Sequence, residues 1–260
     1  MLEIKVSYLV EDFEEDGSPL HKNSVLRLLG DSIDLAELRQ DVADDLADDE
    51  GVYLFSEMRI VILSVSIIRG SKIGTLLIDQ PDALSIKNTQ TILIPIDNIK
   101  TTDHVKNQRI SMSGFDLSDT QMCVACDLVA IEGRVNLFPN ITNSKISIMN
   151  IDPDPTFHYV SGGFASCLKI KNSFLGKISI SNACVGSPPE TVAKVFKGYK
   201  RIDNQDLLVL EDGSTIGSLD IHEVIFHGPH TNINILTDAS SKILNIEIAD
   251  NTKVKNRLVK

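Results

Sequence analysis

The chain has 260 residues, 42% hydrophobic and 23% charged, a globular composition with enough length for one large core or two small ones. A formal net charge of −11 excludes a general nucleic-acid binder and disfavours an anionic membrane surface, because both need clustered Lys and Arg. Four cysteines fit a reducing compartment better than a disulfide scaffold.

The opening MLEIKVSYLV is interrupted by Glu3 and Lys5 and runs straight into acidic residues, so no signal peptide is expected. Leu2–Val10 reads as a first strand, followed by an acidic loop. In DSIDLAELRQDVADDLADDEG, Leu35, Leu38, Val42 and Leu46 recur at helical spacing with polar residues opposite, which predicts an amphipathic helix. Ser32 or Asp34 is the expected N-cap and Gly51 the expected stop. Asp44, Asp45, Asp48 and Asp49 lack the glycine and alternating ligands of an EF-hand loop, and read as a solvated face. Residues 1–57 are expected to form a capping region and 58–260 a β-rich domain.

From residue 58 the pattern is β. RIVILSVSII, TLLID, TILIPI, RISMSGFDL, KISIMNI, LKIKN, KISISN, LLVLED, EVIFHG, NINIL and KILNIEI are short Ile/Val/Leu runs separated by turn residues. The longest, IVILSVSII, is too short to span a bilayer. Strands this numerous imply a solenoid, a barrel or a sandwich. An apolar–x–apolar–x–Asn pentad occurs at Leu84–Asn88, Ile94–Asn98, Ile146–Asn150, Leu168–Asn172 and Ile178–Asn182. Asn tolerates the left-handed conformation of a sharp turn, and asparagines stacked on successive coils can bond one another. Asn150 and Asn172 stand 22 residues apart, about one coil of such a fold.

In these pentads and this spacing the chain resembles, at the level of fold, the right-handed parallel β-helix proteins, the group of the pectate lyases and phage tailspikes. The resemblance implies a mainly β, solenoid-like architecture over residues 58–256, capped by the N-terminal amphipathic helix; an antiparallel β-sandwich is the alternative. A helical insertion is expected near 187–201, where Ser187 and Glu190 form a capping box and Val192, Val195, Phe196 and Tyr199 an apolar stripe.

Candidate chemistry is sparse. Cys123 and Cys126 have knuckle spacing, but Cys167 and Cys184 make no second pair, so they read as core thiols, with Cys126 in an inward set with Val124 and Leu128. Asp152 and Asp154, in IDPDPTFHY, are the candidate catalytic carboxylates for a glycosidic bond. Lys194, Lys197, Lys200 and Arg201 give the inserted helix a basic side suited to an acidic partner. His222, His227 and His230 are the candidate metal ligands. Phosphate-loop, nucleophile-elbow and dinucleotide motifs are missing, and no cofactor is expected.

The expected function is a non-catalytic structural or protein-binding scaffold, self-associating as a homo-oligomer or within a phage-type assembly, and cytoplasmic or virion-associated. The competing expectation is a carbohydrate-active lyase or hydrolase on the same fold. The absence of Trp, the side chain that commonly stacks on sugar rings, counts against it.

Overall fold

A computed structural model of the chain describes residues 1–12, 19–50, 58–70, 72–80, 83–89, 94–102, 108–117, 119–133, 138–153, 167–181, 184–185, 206–222, 225–226, 233–249 and 254–258. Among these the protein is mainly β with one helix, and no helix is long and apolar enough to cross a membrane. The N-terminal part supplies β1 (Leu2–Asp12), β2 (Leu20–Leu28), β3 (Ser32–Asp34) and α1 (Leu35–Glu50). Next come β4 (Met58–Arg69), β5 (Ile73–Ile78), β6 (Ala83–Asn88), β7 (Ile94–Thr101), β8 (Arg109–Ser113), β9 (Phe115–Asp116), β10 (Gln121–Cys123) and β11 (Ala125–Gly133). The series continues with β12 (Asn140–Thr142), β13 (Lys145–Pro153), β14 (Leu168–Lys171), β15 (Phe174–Ser181), β16 (Cys184–Val185) and β17 (Asp206–Glu211). It closes with β18 (Thr215–His222), β19 (Ile225–Phe226), β20 (Ile233–Thr237), β21 (Lys242–Ile248) and β22 (Val254–Leu258).

Two ten-stranded sheets hold nearly all of these strands. The first has the order β2-β1-β4-β6-β8-β11-β13-β15-β18-β21; the second runs β22-β20-β17-β14-β12-β10-β7-β5-β3, with β9 beside β7. From β5 on the chain visits the two sheets in turn, β16 and β19 forming a small pair of their own, and each strand of the large sheets pairs in parallel with one a winding earlier. A winding takes 19 residues from Arg109 to Leu128 and 41 from Phe174 to Thr215. The arrangement is parallel-rich and solenoid-like. The antiparallel sandwich does not form: among the described strands only β1–β2 and β1–β4 pair antiparallel. The reason lies at the corners, where one to seven residues carry the chain from the second sheet to the first, one between β10 and β11 and four between β20 and β21. Each return to a sheet therefore runs in the direction of the last.

The core lies between the sheets as columns of like side chains. In the first sheet Val6, Val65, Ile86, Met112, Ile131, Ile151, Ile180 and Ile221 are successive register partners, each at most 1% exposed. Facing it, Ile33, Leu76, Ile99, Met122, Ile141, Ile170 and Leu210 form a column in the second sheet. Helix α1 lays Leu35, Leu38, Val42 and Leu46 on the same core at its N-terminal end. Its N-cap is Asp34, whose Oδ1 accepts the Ala36 N–H at 2.8 Å.

Two regular features were not expected. From β11 on, the first sheet replaces strict alternation with an in–out–out–in–out–in pattern. Val124, Cys126 and Val129 point inward, while Leu128, expected inward, is only half-buried. The extra outward residue recurs at Ser147, Gly176 and Gly217, where the register skips a pair, so a bulge is stacked on successive windings. The second feature is a serine ladder at the short corners. The Ser144, Ser173 and Ser214 N–H groups donate to the hydroxyls of Ser173, Ser214 and Ser241, at 3.0, 3.3 and 3.1 Å. Asparagine takes part as expected only in Asn172, which adopts φ +45° and donates to Asn143 Oδ1 at 2.8 Å. Asn88, Asn98 and Asn150 lie within strands without positive φ, and Asn182 lies outside the described residues.

Candidate functional site

The two kinds of corner divide the molecule chemically. The short corners are closed by the serine ladder, whereas the connections leaving the C-terminal ends of β13, β15 and β18 are long. Those three strand ends share one edge of the first sheet. Along it the register places Ser113, Glu132 and Asp152 on adjacent strands, with Ser181 paired to His222 on the next two. Ser181 follows Ile180, the partner of Ile151, so the row is continuous. Glu132, Asp152 and His222 are exposed. At about 4.8 Å per strand, Asp152 and His222, far apart in sequence, stand about 10 Å from one another across β15.

Of the candidate residues, this edge therefore unites Asp152 with His222. Asp154, His227, His230, Lys194, Lys197, Lys200 and Arg201, and the expected helix at 187–201, lie outside the described residues. The carboxylate that register sets beside Asp152 is Glu132. No sequence motif joins the two, because their closeness depends on the length of one winding. Among the described residues no group of three or more His, Cys, Asp or Glu is placed to hold a metal ion.

A second polar cluster lies on the outer face of the first sheet, two to four residues short of this edge. Asp220 is buried, and its Oδ2 lies 2.6 Å from Lys177 Nζ, while Ser218 Oγ donates to Oδ1 at 3.0 Å. Asn245 Nδ2 donates to Ser218 Oγ at 3.4 Å and to Glu247 Oε1 at 3.2 Å. The hydrogen bond from Lys177 holds the Asp220 carboxyl below its usual range against the opposing effect of burial, and Asp220 in turn raises Lys177. Both are charged at neutral pH, so Lys177 is no neutral base for Ser218, which already donates to a carboxylate. The cluster is a coil-to-coil brace. Its signal, Ser-x-Asp opposite Lys, exists only once the register of β15 on β18 is known.

The cysteines separate at a corner. Cys123 ends β10 in the second sheet and Cys126 follows in β11 of the first. Burial pushes the thiols of Cys126 and Cys167 up to about 12, which keeps both protonated at neutral pH, as packed core thiols are. Cys123 is half-buried, its Sγ 3.8 Å from Asn143 O.

At the N-terminal end, a cleft of about 310 Å³ opens between β2 and α1, lined by Tyr8, Lys22, Ser24, Asp45 and Leu46 among others. Tyr8 and Ser24, both buried, share a hydrogen bond at 3.3 Å beneath it.

Compared with known proteins, the chain matches no family model, no curated protein and no solved structure.

Proposed function

We propose that the chain is a right-handed parallel β-helix that works as a non-catalytic scaffold, a self-associating subunit of a homo-oligomeric or phage-type assembly. The supporting observation is the contrast between its two ends. At the N-terminal end, α1 covers the interior columns. At the other, those columns run out onto the edge strand β21, where Ile246 and Ile248 are each 36% exposed. A stacked sheet that stops on open apolar rungs needs a further layer to cover them. Light scattering over a dilution series tests the reading. It predicts masses of more than one chain that fall on dilution; a single-chain mass throughout, with the fold intact, would overturn it.

A second reading rests on Glu132 and Asp152. Two carboxylates one strand apart lie near the separation of about 5 Å used by retaining glycosidases. A carbohydrate-active enzyme would release reducing ends from a polysaccharide panel and lose that release in Asp152→Ala.

A further inference from the structure

The scaffold reading leaves open which surfaces meet, and the following inference rests on it. Nine large hydrophobic side chains are exposed among the described residues, and six cluster at the two open edges of the first sheet. Leu20, Val25 and Leu29 lie on or just after β2, while Leu244, Ile246 and Ile248 lie on β21. Isolated exposed apolar residues need no explanation, but paired sets at opposite ends of one sheet do.

Strand direction decides how these edges fit. β2 is antiparallel to β1 and β1 is antiparallel to β4, so β2 runs the same way as β4 and every later strand of that sheet. A second copy stacked along the sheet normal to the strands would thus meet β21 with a β2 of matching direction. The new pair would be parallel, like every pair from β4 to β21. A two-fold, tail-to-tail contact lacks this fit. It pairs β21 antiparallel with itself and reverses the spacing of inward Ile243, Ile246 and Ile248, so that no register brings all three into phase. In the head-to-tail arrangement the incoming β2 needs to pair only beyond the bulge, as β8 already does with β11. Ile246 and Ile248 then meet Leu26 and Leu28, which are themselves half-buried against the core.

Charge agrees on the other sheet. There the N-terminal end is covered by α1, whose Glu37, Asp41, Asp44 and Asp48 are exposed. The last strand at the opposite end, β22, has the sequence VKNRL, which carries Lys255 and Arg257 and no acid. In a chain of net charge −11, a basic last strand set against an anionic helix is complementary only head to tail.

We propose that the occupant of the open end is a second copy of this chain, stacked head to tail, β21 on β2 and β22 over α1. Such a contact is heterologous, and repetition gives an open filament rather than a closed dimer.

The test uses two full-length variants whose folding is checked by circular dichroism. One carries an acidic tail (Lys255→Glu, Arg257→Glu), the other a basic head (Asp44→Lys, Asp48→Lys). Each alone sets like charge against like and should associate roughly a hundredfold more weakly than the unaltered chain in sedimentation velocity. Mixed in equal amounts they should regain association, because every contact between unlike copies is complementary. Raising the salt should weaken association of the unaltered chain, a readout that needs no variant. Failure of the mixture to associate where the unaltered chain does, assembly of the basic-head variant alone, or tightening with salt would each overturn head-to-tail stacking and leave the scaffold reading standing. A monomeric unaltered chain would overturn both.

Discussion

Ser214 has no exposed surface, and its hydroxyl accepts the Ser173 N–H while donating within reach of Glu211 O at 2.6 Å and Ile170 O at 3.2 Å. Truncating it strands a buried backbone donor, which costs about 1–3 kcal/mol. Ser214→Ala should therefore lower the unfolding free energy measured in urea by that amount, while Ser240→Ala, at the exposed neighbouring corner, should change it by less than about 0.5 kcal/mol. Equal values would mean that the ladder does not fasten the corner. Sequence reading reached this corner through the wrong residue type. Asparagine does supply the left-handed step at Asn172, as reasoned, and also at Asn143, which lies outside the pentads; Asp212 does the same one winding later. The serine that follows each step carries the interlocking bonds, and serine is too common in turns to stand out alone.

Elements were largely legible because apolar alternation is local. The eleven runs all coincide with or overlap strands, and the expected amphipathic helix is α1, started by one of its two candidate caps. What escaped was non-local. β2, LHKNSVLRL, is an edge strand with most positions exposed or half-buried, so its pairing on β1 leaves little periodic trace. β18, TIGSLDIH, lacks strict alternation because the stacked bulge puts Gly217 and Ser218 between its inward Ile216 and Leu219. Those glycines follow from crowding. A Cβ on Gly176 would sit 2.6 Å from Ser147 O, and one on Gly217 would press on Gly176 O. Gly217→Ala should destabilise by about 1–3 kcal/mol in denaturant unfolding, as backbone must shift to admit the methyl. No loss of stability would show that the windings part easily at the bulge.

At the scale of the molecule, ten strands at about 4.8 Å make the first sheet about 43 Å from β2 to β21. Its two flanks differ: short corners locked by serine on one, and on the other the row of Glu132, Asp152 and His222 with the long connections. The row was half legible. Asp152 and His222 were singled out as residue types, but nothing in a linear chain reveals that windings of unequal length bring them to one edge. The ends differ too, one under an acidic helix and one with exposed apolar side chains on β21, and from that asymmetry we infer a rod that stacks on copies of itself. Small-angle X-ray scattering tests it most directly, since it reports length and cross-section separately. A stacking rod should show a radius of gyration above the roughly 18 Å of a compact chain of this length, rising with concentration while the cross-section stays constant. A radius that stays near that value at every concentration, with the mass of one chain, would contradict it.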